Sequence, residues 1–490
     1  MSDPLDFPRF FEAVYGYPPF PWQTALADKI CREGWSVNAL ALPTAAGKTA
    51  VLDIAVFHLA VEAERPLAER RAPMRIWFVI DRRIVVDEVT QRAKMLAAAL
   101  AKALSSTEAK DQPIRTVAEK LQALSGERPL AVVAFRGGIE IDRRWALGLH
   151  QPLVGISTVD QLGSRLLFRG YGVSPRQWPV QAALCAEDSL IIADEAHLSG
   201  AFIETVRSVT SRYRQWADQP LRTPSALVEM TATPKQGGNV FELTSADRDP
   251  MVAPKLCARL KASKPVALDE PDAGFEAVVV KQAVKLAKEP GVRVVGVVLN
   301  RVQSARTVFD ELSKRDCYTL LLTGRSREAD RRANFERERP FIEAQENRPV
   351  RDKVLFVIAT QTIEVGANVD FDALVTEAAP LDALRQRFGR LNRLGADRVA
   401  PAVIVRRPLK VGQHDLVYDV PSAAPLSSTW NWLQSEHARA PLDFGIDALA
   451  ARLPADISVL VSRSPKAPPL LPAYIQLWCQ TSPTPHPDPD

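Results

Sequence analysis

"ALPTAAGKTAVLDIA", residues 41–55, is an apolar run that breaks into a loop of small residues and resumes as an apolar stretch with helical spacing. Gly47, Lys48 and Thr49 fit the end of a phosphate-binding loop between a strand and a helix. Backbone amides at the helix N-terminus cradle the phosphates, Lys48 reaches the outer ones, and the Thr49 hydroxyl takes a magnesium ion. Leu42 and Ala45 stand where glycines are usual, and alanine is less free than glycine at positive φ. A loop of this kind predicts an α/β fold.

The flanking sequence extends the pattern. "RIWFVID" (75–81), "LAVVAF" (130–135), "LVGIST" (153–158), "LIIAD" (190–194) and "ALVEMTAT" (226–233) read as strands with near-continuous apolar character, as expected where both sheet faces are covered. Helical segments alternate with them, which implies doubly wound, mostly parallel sheets. After "PVALDEPDAG" (265–274) the alternation starts again with "VRVVGVVLN", "CYTLLLT", "KVLFVIAT" and "ALVTEA". The expectation is two tandem units, residues 1–265 and 266–405, with a helical insertion near 95–128. Residues 406–490 read as a linker and the start of a C-terminal extension with a Pro-rich end. Trp430 and Trp432 in "STWNWL" are expected in a core rather than stacked on bases.

Composition sets limits. Hydrophobic residues make up 46% of the 490 and charged residues 24%, with a net charge of +4 from 62 basic and 58 acidic groups. That balance neither demands nor excludes nucleic acid, since local clustering decides phosphate contacts. Arg65, Arg70, Arg71, Arg75, Arg82 and Arg83 do cluster, as a solvated face or a phosphate-facing one. Five cysteines without CxxC spacing argue for a reducing compartment and against disulfides or structural zinc. With no secretory signal and no apolar run near the ~20 residues of a membrane span, a cytoplasmic location is expected.

"IIADEAHLSGAF" (191–202) is a second apolar strand that ends in acids. Beside a phosphate loop, Asp194 is suited to hold magnesium and Glu195 to orient or deprotonate an attacking water. His197 is placed to communicate the nucleotide state; an acidic strand-end turn is the alternative. "LRQRFGRLNRLG" (384–395) then spaces Arg387, Arg390 and Arg393 three residues apart. Alone this is a basic helix face. With a nucleotide on the first unit, Arg390 and Arg393 become candidate arginine fingers for the γ-phosphate.

The ordered set "FPWQ" (20–23), "LPTAAGKT" (42–49), "DEAH" (194–197), "TAT" (231–233), "ATQTIEVGANVDFD" (359–372) and "QRFGRLNR" (386–393) resembles a superfamily 2, DEAH-box-like helicase core with two RecA-like domains. "FRGGIEIDRRW" (135–145), "ISTVDQLGSRLLFRGYG" (156–172) and "TQTIEVGANVDFDALVTE" (360–377) resemble the CRISPR-associated helicase–nuclease of type I interference systems. "WFVIDRRIVVDE" (77–88) is similar to its I-U (I-G) branch. The resemblance implies ATP and Mg²⁺ as cofactors and 3′-to-5′ translocation on single-stranded DNA. Its implied partners are an RNA-guided surveillance complex and an HD nuclease. It implies Gln23 at the adenine, and Thr44, Gly47, Gly366 and Asn368 also at the nucleotide, with Asn368 in place of a frequent Asp. Thr231 and Thr233 would couple hydrolysis to DNA, and Gln386 would join Arg390 and Arg393 at the γ-phosphate. Arg136, Ser157, Thr158 and Thr362 are candidate nucleic-acid contacts.

"QHDL" (413–416) holds the single His-Asp dipeptide, and the other histidines give no ligand cluster around it. A two-metal site needs several converging ligands, so a motor without a cutter is expected. An RNA helicase, a restriction-system translocase and an ATP-gated nucleic-acid clamp remain as alternatives.

Overall fold

The computed structural model describes residues 5–80, 83–135, 143–146, 148–196, 199–212, 214, 223–231, 238–324, 328–364, 368–408, 417–419, 424–462 and 471–480. The chain divides into two compact units, the first including Gly47–Arg248 and the second Asp249–Arg463. Each is a RecA-like α/β domain built on a seven-stranded sheet.

In the first unit the strands are β1 (Ala39–Ala41), β2 (Arg75–Ile80), β3 (Ala131–Phe135), β4 (Leu153–Thr158), β5 (Ser189–Asp194), β6 (Ser225–Thr231) and β7 (Val240–Glu242). Their order is β3-β4-β2-β5-β6-β1-β7 and every pairing is parallel. All six residues of β2 are buried, as are all six of β4, which is why these strands read as unbroken apolar runs. The helix Val51–Val61 is buried over its first ten residues, so apolar side chains occur all round it.

Residues 95–128 are largely helical and lie within the first unit. Helices Arg83–Ala103 and Gln112–Ser125 pack on each other, and the second also lies on Val51–Val61. Ile114, Val117, Ala118 and Leu121 supply its buried face, one stripe of an amphipathic helix.

The second unit contains β8 (Pro265–Asp269), β9 (Val294–Val298), β10 (Tyr318–Leu322), β11 (Leu355–Ala359), β12 (Ala373–Glu377), β13 (Ala402–Val405) and β14 (Leu442–Asp443). The order is β10-β11-β9-β12-β13-β8-β14, parallel except for β14 against β8. Separate apolar clusters around Phe371 and Val297 cover the faces of this sheet.

The segment at 265–274 begins with strand β8. Pro265 is tolerated because it is the first strand residue. The region past 405 also joins the fold: helix Pro425–Arg439 sends Leu426, Trp430 and Leu433 into the core of the second unit. Trp430 is 1% exposed, and its indole N–H donates to Glu270 Oε2 at 3.2 Å. Trp432 packs against the same core.

Candidate nucleotide site

Parallel strands deliver their loops to one edge, and that edge gathers the first unit's candidates. Ala41, from which the phosphate loop departs, pairs with Thr231, the last residue of β6. On the other side of β6, Met230 pairs with Asp194. The phosphate loop, Thr231 and Asp194 are thus successive neighbours along the C-terminal edge. Ser157 and Thr158 end β4 at the same edge, paired with Val79 and Ile80.

Lys48 begins a short 3₁₀ turn, Lys48–Ala50, that runs into helix Val51–Val61. Its ammonium lies 3.2 Å from Glu195 Oε1 and 3.8 Å from Asp194 Oδ1. The three side chains retain 12–18% exposure, enough shelter to strengthen the attraction yet open to a ligand. Asp194 Oδ1 also accepts the Glu195 N–H at 3.1 Å. Glu195 takes φ 50, a left-handed conformation that a non-glycine residue holds at a cost. That turn directs its carboxylate to Lys48.

The loop departs from the usual glycine pattern in two ways. Leu42 is fully buried, so the entering strand continues into the core. Ala45 adopts φ 63, beside Gly47 at φ 77; the alanine therefore takes the conformation glycine favours. Relief of that strain, about 1–2 kcal/mol, exceeds the extra unfolded-state entropy of glycine, about 0.4–1 kcal/mol. Ala45→Gly is expected to raise thermal stability by roughly 1 kcal/mol, read from nucleotide-free melting curves. An unchanged or lower melting point would show that the surroundings already compensate the strain.

Gln23, 3% exposed, lies within helix Pro21–Glu33. Its Oε1 accepts the Phe20 N–H at 2.8 Å, and its Nε2 donates to the Gly47 carbonyl at 3.2 Å. The Trp22 N–H donates to buried Asp247 at 2.9 Å. This tie fixes the start of the helix, so the carboxamide meets the phosphate loop itself.

The chemistry of the donor set fits a magnesium–nucleotide pair. One carboxylate, Asp194, and one hydroxyl, Thr49, stand by a loop built for phosphates, and Mg²⁺ takes few protein ligands besides phosphate oxygens and water. Among the described residues no group of three or more His, Cys, Asp or Glu is arranged to hold a metal.

Other candidates are less open. Ser157 and Thr158 are 0% and 5% exposed, and the Ser157 hydroxyl donates to the Thr158 carbonyl at 2.9 Å. Thr231 is also buried. Arg136, His197, Thr233, Gly366 and the His414–Asp415 pair lie outside the described residues.

In the second unit, Thr362 lies in the 3₁₀ turn Gln361–Ile363 after β11, its hydroxyl donating to the Leu322 carbonyl at 3.0 Å. Helix Leu381–Phe388 carries Gln386 and Arg387 and leads to Arg390 and Arg393. Arg390 donates to the Ile363 carbonyl at 3.3 Å and the Glu364 carbonyl at 3.1 Å. The Arg393 N–H donates to Asp370 Oδ1 at 2.7 Å. Gln386 is buried, and the Asn368 amide donates to Glu343 Oε1 at 3.4 Å.

Arg387 differs from its neighbours in the motif. Fully buried, it donates to Glu364 Oε1 at 2.7 and 2.9 Å, to Thr376 Oγ1 and the Glu377 carbonyl at 2.8 Å, and to Asn300 Oδ1 at 2.8 Å. It joins the motif helix to the 361–364 turn and to the ends of β9 and β12.

Arg70, Arg71 and Arg75 of the basic cluster are structural staples. Arg70 pairs with Asp188 at 2.5 Å and Arg71 with Glu62 at 2.6 Å, while Arg75 donates to the Glu187 and Leu149 carbonyls. Another network missed in the sequence lies on the helix after the phosphate loop. Asp53 there accepts from the Tyr15 hydroxyl at 2.5 Å and from Arg92 at 2.7 Å. A buried Asp in an apolar helix was its one visible signal.

The fold is that of two tandem RecA-like α/β domains. Comparison with known proteins narrows the class: residues 291–396 match the family "CRISPR-associated nuclease/helicase Cas3, C-terminal". A Cas3 of Streptococcus thermophilus is 29% identical over 109 residues, 20% of this chain and 11% of that protein. The crystal structure of T. fusca Cas3 with AMPPNP superposes with a TM-score of 0.59 at 16% identity, over 92% of this chain and 54% of that one. A chain of a CRISPR RNA-guided surveillance complex in a pre-nicking state gives 0.53 at 17% identity, over 89% and 50%. Over residues 291–396 the chain is similar to the Cas3-type CRISPR-associated helicases, and it spans about half the length of these structural relatives.

Among the described residues no helix is long and apolar enough to cross a membrane.

Proposed function

We propose that the chain is the ATP-driven motor of a type I CRISPR interference helicase of the I-U (I-G) branch, acting in the cytoplasm. It would translocate along single-stranded DNA after an RNA-guided surveillance complex has opened the target, and hand the strand to an HD nuclease. The observation that carries this reading is the convergence of Lys48 on Glu195 and Asp194 at the C-terminal edge of one parallel sheet.

In the proposed reaction Lys48 turns from the carboxylates to the outer phosphates when ATP enters. Glu195 accepts a proton from water as the water oxygen bonds to the γ-phosphorus. The bond from γ-phosphorus to the bridging oxygen breaks, leaving ADP and phosphate. Mg²⁺ held by Thr49 and Asp194 would neutralise phosphate charge. Arg390 and Arg393, with Gln386 beside them, meet the charge developing on the γ-phosphoryl oxygens. Opening one DNA step costs about 1.4 kcal/mol of stacking, and a full two-state swing takes about 5.5 kcal/mol of differential affinity, so one nucleotide-driven stroke outweighs one step.

Steady-state ATP hydrolysis with Mg²⁺, measured without nucleic acid and with single-stranded DNA or RNA, tests the reading. Strong stimulation by DNA alone is expected. Equal stimulation by RNA would shift the assignment to an RNA helicase, and none by either would leave a nucleotide-gated clamp. Gln23→Ala should raise the KM for ATP about tenfold, on the order of one lost hydrogen-bonding group, with kcat little changed. A kcat loss at constant KM would remove Gln23 from nucleotide binding.

A further inference from the structure

We propose that Lys264 is a positioning residue for the arginine-bearing loop, holding the point at which the chain leaves helix Leu381–Phe388 and thereby setting where Arg390 and Arg393 stand. The inference rests on the reading of those two arginines as γ-phosphate ligands.

Lys264 is 3% exposed and immediately precedes β8. Its ammonium donates to the Phe388 carbonyl at 2.8 Å, which also accepts the Leu391 N–H at 3.2 Å, at the end of the helix where the dipole concentrates negative charge. The lysine backbone is itself fixed. Its N–H donates to Asp443 Oδ1 at 2.8 Å, and its carbonyl accepts the Phe444 N–H at 2.9 Å. Asp443 also takes the Ser263 hydroxyl at 2.7 Å and the Gly445 N–H at 2.7 Å.

The far end of the loop is anchored too. The Phe371 N–H donates to the Arg390 carbonyl at 2.7 Å, and the Asn392 N–H to the Phe371 carbonyl at 3.0 Å. Asp370 accepts the Arg393 N–H at 2.7 Å. The loop is thus held at Phe371, just before β12, on one side, and on the other the Lys264 ammonium fixes the carbonyl where the helix ends. A buried cation is a poor source of net stability compared with an apolar side chain of the same size, so packing alone gives no reason for a lysine here. A directional, charge-assisted bond to one carbonyl does.

Burial pushes the Lys264 ammonium down to about 8, against the pull of Asp370 and Asp443 and with a further push from Arg393. Those three are the charged groups facing it. Its proton is therefore lost within the range where hydrolysis can be assayed, and the bond to Phe388 loses its charge.

The test uses the full chain with Lys264→Met, which keeps the length of the side chain and removes the donor. Hydrolysis is measured with saturating single-stranded DNA, and amide exchange of 388–395 without nucleotide. Misplacing a reacting group by about 1 Å costs about 10²-fold. The expected result is a kcat loss of that order at nearly constant KM for ATP, with faster exchange confined to 388–395. An alkaline limb near pH 8 in wild type should vanish in the variant. Lys264→Gln, which retains a donor, should recover part of the rate. Wild-type kcat in Lys264→Met, unchanged exchange, or exchange rising across the whole second unit would each overturn the proposal. A wild-type chain with no ATP hydrolysis would sink the γ-phosphate reading, and the exchange result would still decide whether Lys264 holds the loop.

Discussion

Glu195→Gln is expected to cut ATP hydrolysis by about 10³-fold, within the range for removal of a general base, while ATP binding persists. The carboxylate follows Asp194 at the end of β5 and reaches 3.2 Å from Lys48. Its left-handed backbone, φ 50, is imposed by the strand end, and glutamine has no branched β-carbon that would change it. The amide keeps the shape and the capacity to orient water but cannot take a proton. Single-turnover hydrolysis beside equilibrium binding of a fluorescent ATP analogue separates the two effects. A variant within a few-fold of the wild-type rate would remove Glu195 from proton transfer.

Arg390→Ala should lower kcat by about 10³-fold or more, the usual range for a charge-stabilising arginine, with a smaller effect on the KM for ATP. An arginine that meets charge developing only in the transition state affects kcat more than ground-state binding. Arg390 contacts the 361–364 turn through carbonyl oxygens, bonds that can be exchanged for phosphate oxygens at moderate cost. Arg387, with its guanidinium satisfied by Glu364, Thr376, Asn300 and a main-chain carbonyl, offers no such exchange. The measurement is steady-state hydrolysis with DNA present, checked by the unfolding curve. Equal losses of kcat and thermal stability would mean that Arg390 serves the fold instead.

The main strands were legible because a doubly wound parallel sheet buries both faces. β2, β4, β9 and β11 are apolar at nearly every position. The strands that escaped notice were β7, β8, β13 and β14, which run only two to five residues. Proline and aspartate at 265–274 carried the signal of a linker, and only pairing with β13 and β14 shows that β8 is a strand. Helix Pro425–Arg439 lacked a clear period because its Trp and Leu anchors enter a core supplied by distant residues.

In the candidate site, local spacing singled out Lys48, Asp194 and Glu195, which the fold brings together, since loop, strand end and helix start each leave a short-range mark. It left Arg387 without a role, because its partners Glu364, Thr376 and Asn300 come from distant parts of the chain. Nor could it sort the arginines at 65–83, whose partners include Asp188, 118 residues from Arg70. Lys264 gave no signal at all: its acceptor is a main-chain carbonyl 124 residues away.

Sequence by itself therefore determined the alternation of strands and helices, the phosphate loop and the acidic strand end, all properties of neighbouring residues. Tertiary structure decided which charges are buried staples, as Arg70 and Arg387 are. A charge is defined by what pairs with it and how far it is removed from water, and those partners are brought together only when the sheets close.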